Sequence, residues 1–232
     1  MTKASQSGIA IGPILFIVAI LAVLASAVAA GSGAFNSDTS AVKAKAQASA
    51  ILEYANEVKM AVDRVRGHGC SDEQVSFENP LHGTYTNPNA PGDKSCHVFD
   101  PNGGGISFLP IKVSTLETGN DGYFEFQGTH RIKELGSGSA AELMGFLPLD
   151  SLTLCQKINE MVGMAGYLGQ DHYQIVRTYD FVGSYSATNI MVDDGGTWKN
   201  GQMMGCVQKA AITPTYPPFY APYFFYTVLI VR

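Results

Sequence analysis

Five histidines (His68, His82, His97, His130, His172), four cysteines (Cys70, Cys96, Cys155, Cys206) and three Asp/Asn/Gly clusters carry the groups able to do chemistry in this 232-residue sequence. Asp171-His172 has the composition of an acid–base dyad. Neighbours on a strand point to opposite faces, however, and no nucleophile stands at a fixed spacing from them. Cys155 would be nucleophilic only as a thiolate beside a positive group, and the apolar helix face it shares with Ile158 and Val162 suits a disulfide better. Asp193-Asp194-Gly195-Gly196, Asn120-Asp121-Gly122 and Asp100-Pro101-Asn102-Gly103 offer hard oxygen ligands for calcium. None matches the twelve-residue EF-hand loop, and the same residues make plain turns. Phosphate-cradling, nucleophile-elbow, zinc-protease and dinucleotide motifs are absent. The expectation is a protein that is not an enzyme and has no catalytic residue.

Composition narrows the partners. Charged residues make up 15% of the chain and the net charge is −5, with lysine and arginine scattered. No basic patch offers phosphate-driven affinity, so nucleic acid is not an expected partner. Between Lys3 and Asp38 there is no charged side chain at all. Within that gap residues 9–30 are mostly apolar and would reach about 33 Å as a helix, the thickness of a bilayer core, so a membrane span is expected there. A cleaved secretory signal is the rival reading, with cleavage sites near Ala27 and Ala29.

All four cysteines follow that segment. An even number in an exported domain suggests two disulfides, with three connectivities possible. The expected pairs are Cys70 with Cys96, closing a loop rich in turn residues, and Cys155 with Cys206. Buried free thiols in a cytoplasmic head are the alternative.

These residues need elements to hold them. A break is expected at 31–39, then a helix over 40–66 ended by Gly67. Ala44, Ala48, Ile51, Ala55, Val58, Val62 and Val65 recur at alternating steps of four and three, one apolar stripe along its length. Residues 67–232 form the head. Segments 123–127, 173–181, 187–192, 203–209 and 223–231 read as strands, the last central and covered on both faces. Segments 139–147 and 151–161 read as short helices. The proline- and aromatic-rich run 216–223 reads as an extended loop.

A leader ending at Gly8, an apolar segment passing into an amphipathic helix, and a cysteine-bearing β-rich head together resemble the type IV pilin and pseudopilin superfamily. The phrases CSDEQVSFENP, CHVFDPNGGG and LCQKINEMVG are also similar to those of uncharacterised bacterial pilin-like proteins. The resemblance implies an α+β fold, with a long N-terminal helix, membrane span continuing into amphipathic helix, packed on an antiparallel sheet with one or two short helices. It implies leader cleavage between Gly8 and Ile9. Pro13 then takes the fifth mature position, where the family carries an acidic residue; cleavage after Gly12 would put Ile17 there. It implies a structural subunit, minor or at a tip, of a filament, type IV pilus or secretion pseudopilus, with a part in adhesion. Assembly with like or related subunits would use Pro13, Phe16, Ile20, Leu24, Ala48, Ile51, Ala55, Val58 and Val62. The subunit would sit in the inner membrane first and at the cell surface after assembly. Some pseudopilins carry calcium near the C-terminal end, which points to Asp193 and Asp194. The alternative is a single-span, membrane-anchored extracytoplasmic binding domain that does not polymerise.

Overall fold

The computed structural model describes residues 11–81, 83–111, 122–132, 134–137, 139–171, 180–186, 189–191, 201–209 and 222–232, with the backbone alone at 11–38, 170–171, 189–191 and 209. The chain divides into two compact units, Met1–Lys43 and Ala44–Arg232. Helix α1 (Ile11–Gly67) belongs to both and runs through 31–39, where a break was expected. In the second unit its stripe from Ala44 to Val65 is buried throughout. The helix stops on glycine because the chain must turn left-handed there. Gly69 has φ +97°, its N–H donates to the Arg66 carbonyl, and the Cys70 N–H donates back to the Val65 carbonyl. That pattern satisfies the last carbonyls two residues beyond the expected Gly67.

Strands β1 (Glu125–Ile132), β2 (Glu142–Leu149), β3 (Gly169–Asp171), β4 (Asn189–Met191), β5 (Met204–Lys209) and β6 (Tyr223–Ile230) form one sheet in the order β3-β5-β6-β2-β1-β4. The four inner strands are antiparallel; the three-residue edges β3 and β4 run parallel to β5 and β1. The C-terminal run forms β6, between β5 and β2, and all but its first residue is buried. On one face of the sheet Phe124, Phe126, Leu143, Leu147, Phe225 and Leu229 pack with the α1 stripe. On the other, Ile132, Met144, Phe146, Phe224, Tyr226 and Val228 form a second cluster.

The expected fold is corrected on three counts. Among the described residues no helix is long and apolar enough to cross a membrane, and from Thr39 onward α1 is an amphipathic helix. The sheet is mixed at its edges, not wholly antiparallel. Segment 139–147 is not a helix: its alanine, glutamate, leucine and methionine favour one locally, but β2 occupies 142–149 and is buried at every position. Pro148 is accommodated there because the β1 ladder ends at the Glu125–Phe146 pair, leaving only β6 alongside. The one short α-helix described is α2 (Leu152–Met161), capped by the Ser151 hydroxyl, which accepts from the Leu154 N–H at 3.2 Å.

The disulfides are Cys70–Cys96 and Cys155–Cys206. The first pins the segment after α1, which has little regular structure. There Ser76 bridges to His97, and buried Asn87 donates to the Glu73 and Val75 carbonyls. The second ties α2 to β5. Two such bridges belong to oxidising surroundings, extracellular or periplasmic. For sequence separations of 26 and 51 residues, loop entropy assigns about 3.5 and about 4 kcal/mol. Access separates them more than energy does. Cys155 and Cys206 are fully buried, whereas Cys70 is partly exposed. Under native conditions a dithiol reductant is expected to open Cys70–Cys96 first, leaving Cys155–Cys206 closed until the head unfolds. Alkylation and mass mapping check this, and loss of both bridges at one rate would contradict it.

Candidate functional site

The chemistry-bearing residues disperse. His68 is exposed beyond α1. His97 is buried in the stapled segment, its Nε2 3.4 Å from a Glu78 carboxylate oxygen. The Asp100 loop is a turn: its carboxylate accepts from the Asn102 N–H at 3.0 Å, and Lys94 lies 3.8 Å away. His82, His172, Asn120, Asp121, Asp193, Asp194, Gly8 and Ile9 lie outside the described residues, as do the side chains of Asp171, Pro13, Phe16, Ile20 and Leu24. Among the described residues no three His, Cys, Asp or Glu side chains gather as a metal site would require. Ala48, Ile51, Ala55, Val58 and Val62 are 0% exposed. They are core residues, covered by the head's own sheet and loops, and present no surface for a neighbour.

What the fold does bring together is a pair that sequence reading did not join. His130 on β1 stands directly opposite Glu142 on β2, and both are 0% exposed. Register puts both on the sheet face away from α1, since Glu142 alternates with Met144 and Phe146. The His130 ring lies 5.0 Å from that of Phe146. Its Nδ1 is 3.0 Å from the Thr129 hydroxyl. One Glu142 oxygen accepts from the Ile132 N–H at 3.1 Å. His130 Nε2 and the other Glu142 oxygen meet no hydrogen-bond partner among the described residues.

Burial sets the electrostatics, because a low-dielectric interior disfavours the charged form of either group. It holds His130 down to about 4 and pushes Glu142 up to about 7, the Ile132 N–H and the charge of Arg131 pulling the other way. At pH 6 both are neutral. Thr129, His130 and Glu142 include the group types of a nucleophile, base and orienter. With no exposed surface, His130 lies out of reach of a bound molecule in this structure.

An open groove of about 440 Å³ lies between α1 and the end of α2, lined by Leu52, Asn56, Met161, Val162 and Met203 among others, none of them titratable. It can accept apolar surface and offers no acid or base.

No protein-family model, no curated protein and no solved structure matches this chain.

Nothing in the sequence joined the pair: His130 lies beyond the strand expected at 123–127, and Glu142 lies inside the helix expected at 139–147. Their partnership depends on a register shift in β1 between Gln127 and His130. Gly128 sits inside that shift with Phe181 and the Ser184 carbonyl against it; a Cβ there would come within 2.9 Å of both.

Proposed function

We propose that this chain is a structural, non-catalytic subunit of pilin-like type, a disulfide-stapled extracytoplasmic head that assembles with copies of itself or related subunits through its apolar N-terminal segment. One observation carries the reading: the buried stripe of α1 is used up within the head unit, which begins at Ala44, while 34 consecutive uncharged residues lie before Asp38. Apolar surface of that extent requires covering, and the head's core begins after it. The oxidising surroundings implied by the disulfides support assembly at the cell surface or in a periplasm.

The test uses the full chain exported with its disulfides formed. Electron microscopy of sheared surface material, with N-terminal sequencing of the recovered protein, is expected to show assembled particles or filaments. Ile20→Asp, which puts a charge into the apolar segment, is expected to abolish them while leaving the head's two disulfides and its unfolding midpoint unchanged. If the unsubstituted chain is recovered only as a monomer, the assembly reading fails and a non-polymerising binding domain takes its place.

A further inference from the structure

Burying an ionisable side chain without a partner of opposite charge is costly, and the cost depends on pH in a direction set by the group. A buried histidine loses stability as pH falls, because the unfolded chain takes up a proton that the folded one refuses. A buried glutamate loses stability as pH rises, because the unfolded chain gives up a proton that the folded one retains. His130 and Glu142 are one of each kind, facing each other across adjacent strands, both fully buried, each with one polar atom lacking a partner among the described residues.

Among the described residues, the opposing charge acting on Glu142 is that of Arg131, and burial outweighs it. Among the described residues β1 also contributes Glu125 and Arg131, and the turn after it Glu134. Beyond Glu142 itself, β2 brings no acid or base. β6 brings only Tyr223 and Tyr226, and β4, Asn189-Ile190-Met191, brings none. Burial also holds the Tyr226 hydroxyl in its neutral form.

We propose that His130 and Glu142 are a proton-compensating pair: each holds its neutral form inside the sheet, the acid sensitivity of one offsets the alkaline sensitivity of the other, and the head keeps level stability from mildly acidic to neutral pH. The signs follow from the shifts. His130, lowered from 6.5 to about 4, withdraws stability as pH falls through that window. Glu142, raised from 4.5 to about 7, withdraws it as pH rises through an overlapping window. The two slopes are opposite and of similar size, so their sum is nearly flat. A protein in extracytoplasmic surroundings, whose pH the cell does not fix, benefits from such a pair, and the device is independent of how the head is used.

The experiment is urea unfolding of the full chain between pH 4 and 7.5, with His130→Gln, Glu142→Gln and the double variant. In Glu142→Gln the unfolding constant, relative to the double variant, is expected to rise on the order of a hundredfold as pH falls from 6.5 to 4. In His130→Gln it is expected to rise by a similar factor as pH climbs from 4.5 to 7. The unsubstituted chain should stay within a few-fold across the range. Parallel profiles for the two single variants would overturn the proposal. Should a variant fail to fold, NMR titration of the unsubstituted chain decides: the His130 ring is expected to stay unprotonated at pH 5. A His130 ring already protonated at pH 5 would equally overturn it.

Discussion

Replacing Asn159 with leucine is expected to cost about 3 kcal/mol, more than its modest size suggests, because two buried backbone groups of Cys206 and one partly buried carbonyl lose this partner at once. Asn159 lies one turn after Cys155 on α2 and is 0% exposed. Its amide nitrogen donates to the Cys206 carbonyl at 2.8 Å and the Tyr167 carbonyl at 2.9 Å, and its oxygen accepts from the Cys206 N–H at 2.7 Å. The pairing of β3 with β5 begins only at Gly169 and Val207. At Cys206, therefore, the side-chain amide does what another residue of β3 would have done, supplying one donor and one acceptor to the strand. The Cys155–Cys206 bridge grips the same residue covalently, so disulfide and amide together fix α2 on the sheet. Leucine is close in volume but leaves the buried N–H and carbonyl of Cys206 without this partner. Aspartate separates the causes: it keeps the acceptor and sets a carboxylate against two carbonyls. The Asn159→Asp penalty should shrink as pH falls and the carboxyl protonates, while that of Asn159→Leu stays constant. Urea midpoints at pH 4.5 and 7.5 measure both. A loss under about 1 kcal/mol for leucine would show that the amide is not what holds this strand edge.

Phe126→Ala should cost about 4 kcal/mol, within the range for truncating a fully buried phenylalanine, and lower the melting temperature by roughly 10 °C for a head of this size. Phe126 is 0% exposed. It stacks on Phe77 with centroids 3.9 Å apart, and Tyr85, Phe99 and Phe124 lie within 6.3 Å of it. Its backbone is engaged as well: the N–H donates to the Tyr85 hydroxyl at 3.2 Å, and the carbonyl accepts from the Phe181 N–H at 2.8 Å. Phe77 and Tyr85 belong to the loop closed by Cys70–Cys96 and Phe99 follows it directly, so one β1 side chain is the seat on which that segment rests. Truncation should also flatten the near-ultraviolet circular dichroism signal of the aromatic cluster. Phe126→Leu, which keeps most of the volume, should cost no more than about 1.5 kcal/mol. Equal losses for alanine and leucine would mean that ring stacking, and not the cavity, sets the cost.

Much of the architecture was legible because it is written locally. The stripe from Ala44 to Val65 repeats with a helical period, and any apolar surface laid along it would bury the same residues. Residues 223–230 are long, unbroken and β-branched or aromatic, which marks an interior strand wherever the sheet forms. Ser151 ahead of an amphipathic run marked the start of α2. The Cys70–Cys96 pair followed from closing a loop with little apolar content of its own.

The remainder depended on which segments meet. Residues 142–149 have helical preferences and become a strand because β1 and β6 stand on either side of them; burial against two neighbours outweighs a few tenths of a kcal/mol of propensity per residue. Strands β3 and β4 are three residues long and parallel to partners distant in sequence, too short to leave a periodic trace. Glu142 faces His130 only because β1 shifts register after Gln127, and a one-residue slip would have sent the two to opposite faces. Asn159 and Cys206 lie 47 residues apart and met only when α2 docked. Periodicity, capping and composition are properties of neighbouring residues, so the amino-acid sequence determined them alone. Register, burial of charge and the partners of buried amides belong to pairs far apart along the chain, and tertiary structure alone decided those.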